Sequence, residues 1–201
     1  MQKRDLSGRD YYNKLKNAPP HGRCPICGQR PVAQLDHHLA KSKYPSLAVT
    51  PINLVPACAD CNFIKTALSP SKCEEETLHP YFDNVSIDQW LFATVEQTNP
   101  VALKYEVRPP THWPPVLGER VKYHFETFGL ASLFASDAAV ELSEWHHELQ
   151  RLSEDKTGAE VQRFLHRGYV SASHMHLNSW RTAMYQALAV DECFCTVGAA
   201  Q

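Results

Sequence analysis

No apolar run in this chain approaches the roughly 20 residues needed to span a bilayer, which predicts no membrane-crossing helix and no membrane partner. The first residues, MQKRDLSGRDYYNKLK, contain no apolar core of the signal-peptide kind, so a cytoplasmic protein is the expectation. Neither an internal repeat nor a low-complexity tract is present. An excess of charge of one sign is missing as well: the formal net charge of the 201 residues is -2, which alone argues neither for nor against a polyanionic partner. What remains is the composition of a soluble globular protein, 43% hydrophobic and 21% charged, long enough to bury a core in one ordinary domain or two small ones.

The distribution of charge is more informative than its sum. Residues 1–72 hold 11 Lys/Arg against 4 Asp/Glu, about +7, whereas 73–201 hold 9 against 18, about -9. Any polyanion is therefore expected to meet the first part of the chain. Seven cysteines is an odd number, and four of them fall in two close pairs, Cys24/Cys27 and Cys58/Cys61. Without an export signal, that pattern favours metal binding over disulfides. Cys73, Cys193 and Cys195 read as free thiols, with Cys193-Phe194-Cys195 as a ligand pair the rarer alternative.

Taken in order, residues 1–22 are a basic arm or a short helix over 11–16, which Asn17-Ala18-Pro19-Pro20 would end. Cys24-Pro25-Ile26-Cys27-Gly28 has the spacing of a zinc knuckle. Residues 32–39 read as a strand interrupted by polar residues, 41–51 as a loop punctuated by Pro45 and Pro51, and 52–55 as a second short strand. A helix over 62–68 leaves the second knuckle and stops near Ser69-Pro70. Leu78-His79-Pro80-Tyr81-Phe82-Asp83 reads as a packed connector. Beyond it, the apolar spacing of Ile87, Trp90, Leu91 and Val95 predicts a helix over 87–95 with Ser86 as its cap. Residues 101–107 alternate like a strand, and 117–149, 159–166 and 177–189 have helical spacing. The expected fold class is α+β: an arm at 1–22, a zinc-clipped strand-loop-strand-helix unit at 23–75, and a mostly helical accessory region at 76–201.

Two C-x-x-C pairs separated by 30 residues supply the four soft ligands that zinc takes in a tetrahedron. A closed set of four thiolates leaves no open position for a substrate, so this zinc is structural. The separation exceeds the roughly 15 to 20 residues of an ordinary zinc ribbon, and the additional chain carries Asp36-His37-His38 and Asn53. The clip ties the start of the first strand to the start of the helix, bringing Asp36 and His37 close to Asn62. A carboxylate and an amide oxygen are hard donors, suited to magnesium or manganese. An imidazole beside them is a base near neutrality. Those are the parts that hydrolyse a phosphodiester. On a regular strand Asp36 and His37 would point to opposite faces, so their convergence requires an irregular strand end. His38 stays open as an alternative base or an added ligand.

Leu35-Asp36-His37-His38-Leu39, followed by Asn53-Leu54, Cys58, Cys61-Asn62 and Lys65, resembles the HNH endonuclease family in its four-cysteine, zinc-stabilised form. The resemblance covers residues 24–68 and implies the ββα-metal finger as the fold. It implies Asp36 as first ligand to a catalytic divalent ion, His37 as general base, Asn53 as the residue that fixes the loop and orients His37, and Asn62, in the place of the family's last His, as second ligand. Lys65, one turn after Asn62 on the same helical face, is placed to reach a phosphate. Lys41 and Lys43 in the loop either touch the nucleic-acid backbone or are simply solvated. The activity implied is Mg2+- or Mn2+-dependent hydrolysis of DNA to 5'-phosphate and 3'-hydroxyl ends.

Further on, His79-Pro80-Tyr81-Phe82-Asp83 and Trp90-Leu91 resemble the downstream portion of HNH proteins from bacterial phage-defence operons, such as the nuclease subunit of Septu-type systems, which works beside an ATPase. That resemblance implies that the acidic second part docks a protein, an ATPase. A rival from another class is a zinc-ribbon module that binds nucleic acid or protein and cuts nothing. The interior set of Asp36, His37, Asn53 and Asn62 is what such a ribbon does not need.

Overall fold

The computed structural model describes residues 8–66, 68, 70–155 and 157–196. The first seven residues of the expected arm and the helix stop at Ser69 lie outside them. The fold is α+β, with seven α-helices and two small antiparallel sheets among the described residues. The chain divides into two compact units, residues 1–84 and 85–201.

In the first unit, α1 (Gly8–Lys16) packs on a short antiparallel pair, β1 (Gln34–His37) and β2 (Leu54–Ala57). Asp36 stands opposite Val55 and His37 opposite Leu54. The second strand begins later than the apolar run at 52–55, because Pro51–Asn53 closes a 3-10 turn before it. After β2 the chain enters α2 (Ala59–Thr66), which starts earlier than 62. Cys58 explains the early start. Its carbonyl accepts the amide of Asn62 at 3.1 Å, the first helical bond, while its Sγ accepts the amide of Cys61 at 3.4 Å. The sulfur thus takes the part of an N-cap oxygen. Ile26, Val55, Pro56, Ala57 and the four knuckle cysteines are buried and give the finger a small apolar core.

The connector at 78–83 closes the far side of β2. His79 Nε2 donates to the carbonyl of Ile52 at 3.1 Å, the Tyr81 hydroxyl donates to Leu54 O at 2.9 Å, and Asp83 Oδ2 accepts the amide of His79 at 2.7 Å.

The second unit opens with a hairpin of β3 (Leu91–Glu96) and β4 (Ala102–Val107), paired from Leu91 opposite Val107 to Glu96 opposite Ala102. Five helices follow: α3 (Pro115–Thr127), α4 (Leu130–Leu152), α5 (Ala159–Met175), α6 (Trp180–Val190) and α7 (Glu192–Thr196). The helix expected over 87–95 is therefore corrected to a strand. Ile87, which that helix would have buried, is 75% exposed. The amides of Trp90 and Leu91 go to the Asn178 side chain, and β4 takes the ladder bonds beyond them. Tertiary partners override a helical spacing that rests on four residues. The helical stretch at 117–149 resolves into α3 and α4 because Gly129, at φ +59, takes the left-handed conformation that ends a helix. The spacing at 159–166 continues to Met175, and α5 meets α6 at Gly168, where a Cβ would stand 2.8 Å from the Tyr185 ring.

Asn178 holds the start of the hairpin. Its Oδ1 accepts the amides of Trp90 (2.8 Å) and Leu91 (3.1 Å), and its Nδ2 donates to the carbonyls of Asp88 (2.8 Å) and Val85 (3.3 Å). Replacing Asn178 by Ala strands buried backbone groups without partners, at a cost of about 3 kcal/mol. The expected result is a lower urea midpoint with an unchanged slope in equilibrium unfolding.

Candidate functional site

The two knuckles converge on one point. Gly28, at φ +70, turns the first knuckle back so that its amide donates to Cys24 O at 2.8 Å, while the amide of Cys24 donates to Arg30 O at 2.8 Å. The second knuckle is the first turn of α2. Together they bring the four Sγ atoms within 4.8 Å of one another, all buried, with Cys27 and Cys58 4.0 Å apart. A zinc ion with Zn–S bonds of about 2.3 Å needs sulfurs about 3.8 Å apart. The four-cysteine cluster fits a zinc-stabilised module.

The four sulfurs are electrostatically coupled. The neighbouring Cys24 and Cys61 hold the Cys27 thiol far below its ordinary value. Cys27 pushes Cys24 up to about 11, and Cys24 and Cys27 together push Cys61 up. Ionising all four would need a cation among them, and metal uptake would release their protons. Arg30 supports the cluster from outside. Burial opposes its charge, but Asp60 and the sulfurs of Cys27, Cys58 and Cys61 outweigh that and raise its pKa. Its Nε bonds Asp60 Oδ2 at 2.7 Å, joining the first knuckle to α2.

The Asp36-His37-His38 segment ends β1, and three contacts fix its shape. Asn53, 4% exposed, accepts the amide of Leu39 at 2.6 Å on Oδ1 and donates from Nδ2 to Leu39 O and Leu47 O, both at 3.1 Å. It pins the far end of the loop to the strand. His37 Nε2 lies 2.9 Å from Ala48 O. A carbonyl can only accept, so this nitrogen carries the proton and Nδ1 keeps the lone pair. Lys65 Nζ donates to His37 O at 2.8 Å and to His38 O at 2.6 Å. Successive carbonyls of a regular strand point in opposite directions, so one ammonium that bonds both marks a strand end that has left regular geometry. Asp36 and His37 keep their ladder partners Val55 and Leu54, and the irregularity begins at the step from His37 to His38.

Asp36, His37, His38, Asn62 and Lys65 all line one cleft of about 540 Å³, together with Lys41 and Lys43 from the loop. Asn53 stands behind it. The side chain of Lys65 does not extend outward toward a phosphate; only 11% exposed, it faces the strand end and stands 3.4 Å from Asp36 Oδ2. Burial pushes the Asp36 carboxyl above its ordinary range against the pull of Lys65, and burial holds Lys65 below its own against the pull of Asp36. For both groups desolvation outweighs the pairing. His38 packs its ring on that of His79, with centroids 4.1 Å apart. His79 is neutral, since Nδ1 accepts the Tyr81 amide while Nε2 donates to Ile52 O, and burial lowers its pKa.

Sequence reasoning did not find Tyr44, Glu75 and Glu76 in the cleft wall, nor the Ala48 carbonyl that orients His37. The run Glu74-Glu75-Glu76 is visible in the sequence, but a backbone carbonyl leaves no signal there.

Over 208 aligned residues the chain is 26% identical to protein ea31 of Escherichia phage lambda, an alignment that covers 96% of this chain and 70% of that protein. No protein-family model matches the chain, and no solved structure matches it.

Structural zinc contributes about 10–16 kcal/mol in small modules, as much as the whole stability of an ordinary domain. Cys58→Ser removes both a ligand and the sulfur cap of α2. The variant is expected to lose its zinc, measured by elemental analysis, and to become open to limited proteolysis within residues 1–84.

Proposed function

We propose that this protein is a metal-dependent HNH-type endonuclease that hydrolyses DNA phosphodiester bonds, with His37 as its general base. The observation that carries this reading is the fixed imidazole: Nε2 is held by Ala48 O at 2.9 Å, which leaves Nδ1 as the proton acceptor in a cleft shared with Asp36 and Asn62.

Asp36 and Asn62 would hold Mg2+ or Mn2+. Asp36 Oδ2 is buried without a hydrogen bond of normal geometry, and a carboxylate with an amide oxygen, completed by water, is the kind of hard, incomplete set that magnesium accepts. The ion, when bound, supplies neutralisation of charge on the phosphate and the leaving oxygen. His37 Nδ1 takes a proton from a water opposite the 3'-oxygen. The water oxygen bonds to phosphorus, the P–O3' bond breaks, and the 3'-oxygen leaves and takes a proton from solvent water, giving 5'-phosphate and 3'-hydroxyl ends. Asn53 keeps the loop that carries Ala48 against the strand, and so holds the base in register.

Lys41 and Lys43, both exposed, offer cations to flanking phosphates. The second unit holds 9 Lys/Arg against 14 Asp/Glu and has no charge reason to meet DNA. Its role in this reading is to dock a protein, an ATPase in a phage-defence setting. The alignment with the phage lambda protein runs along almost the whole chain and supports both units as parts of one working protein.

Purified protein incubated with supercoiled plasmid in Mg2+ or Mn2+ is expected to cut it, and chelator to stop it. His37→Ala keeps its fold and zinc and loses about 10³-fold in rate, the usual contribution of a general base. Cleavage by His37→Ala at the parent rate removes the proposed base, and no cleavage by the parent in either ion returns the chain to the non-catalytic zinc-module reading.

A further inference from the structure

Lys65 is the buried charge that the proposed chemistry does not use. An ammonium has three protons, and two of them are placed in short bonds to His37 O and His38 O. The third side faces Asp36 Oδ2 at 3.4 Å, beyond the 2.7 to 2.9 Å range typical of a charge-assisted bond. That oxygen is buried and has no hydrogen bond of normal geometry. Asp36 therefore has a neighbouring countercharge but an unbonded lone pair.

We propose that Lys65 is the resident counter-cation of Asp36 and exchanges with the catalytic divalent ion: it neutralises the carboxylate until the ion arrives, then keeps its two carbonyl bonds and gives up Asp36. The proposal rests on Asp36 being an ion ligand, as inferred above. Two positive charges beside one buried oxygen repel strongly where little water screens them, so both cannot keep close contact with it. A flexible four-carbon stem with rotatable donors suits a group that must hold one set of acceptors while leaving another. The two jobs separate by chemistry. The carbonyl bonds position the strand end that carries His37, and the charge sets how tightly the ion is held. Lys65 is in this sense a positioning residue, and the ion's affinity is the quantity that a purely structural lysine would not raise when removed.

The test uses the zinc-loaded full chain and Mn2+ alone, titrated by the loss of the free-ion electron paramagnetic resonance signal. Lys65→Gln keeps a donor without the charge, and Lys65→Met removes both. Each is expected to bind Mn2+ at least tenfold more tightly than the parent. Adding Asp36→Asn to either abolishes that gain. In the absence of the ion Lys65→Met melts lower than the parent, and Mn2+ raises its Tm by more than it raises the parent's. Folded variants that bind Mn2+ no more tightly than the parent overturn the proposal, even where the parent cuts plasmid in Mn2+. A parent that cuts nothing, with Lys65 variants that still gain Asp36-dependent Mn2+, sinks the nuclease reading and leaves the exchange standing. Should neither variant fold, the 15N resonance of the Lys65 ammonium in the parent decides: it shifts on addition of Mg2+ under the proposal, and an unchanged signal while Mg2+ supports cleavage overturns it.

Discussion

Four sulfurs within 4.8 Å of one another are the constraint on which the first unit depends. Its strands are four residues long and few of its side chains are both apolar and buried, so hydrophobic burial alone is a weak support for it. A metal cross-link contributes more than such a core can. It also does something burial cannot, which is to set direction. One knuckle precedes β1 and the other is the first turn of α2, so gathering their sulfurs fixes where the helix starts and turns its Asn62 and Lys65 face toward the end of β1. Arg30 and Asp60 add a second tie between the same two places.

Once the helix is placed, polar side chains bonded to main chain do the finer positioning. Asn53 makes three such bonds and Lys65 two, and His37 makes one through Nε2. Lys65 reaches carbonyls at the end of β1, Asn53 ties Leu39 to Leu47, and His37 reaches Ala48 in the loop. Buried carbonyls and amides need partners, and here the partners are the side chains that shape the cleft. A distorted strand end and a shaped site are therefore a single feature.

The parts of this that the sequence disclosed are those encoded in residue type and spacing. Two C-x-x-C pairs announced the clip, and the long separation between them announced an interior set. Asn53, singled out by the family resemblance, makes three hydrogen bonds to the backbone of Leu39 and Leu47. Lys65 was legible only in its helical face. Whether a lysine reaches outward or inward depends on where acceptors lie, and the His37 and His38 carbonyls converge only after folding. The 87–95 segment misled for a related reason: its apolar spacing is compatible with a helix, and Asn178, 87 positions beyond Leu91, supplies the acceptor that draws those amides into a hairpin. Gly129 was not read as a helix stop, because Gly118 and Gly168 lie inside helices and only the left-handed φ of Gly129 sets it apart.

The charge asymmetry has a narrower meaning than the halves of the sequence implied. Residues 1–72 carry about +7, but the first unit runs to 84 and takes in Glu74, Glu75, Glu76 and Asp83, which lowers it to 11 Lys/Arg against 8 Asp/Glu. Two of those acids, Glu75 and Glu76, line the same cleft as Lys41 and Lys43. A polyanion approaching the unit therefore meets a weak overall field and a mixed wall, with lysines on the loop after β1 and glutamates after α2. Long-range steering needs a broad patch of one sign, and this unit does not present one at its cleft. For the proposed substrate, attraction has to come from short-range terms: two exposed lysines and a divalent ion at Asp36. On that proposal the ion would serve in binding as well as in chemistry, and the charge beside Asp36 would bear on both.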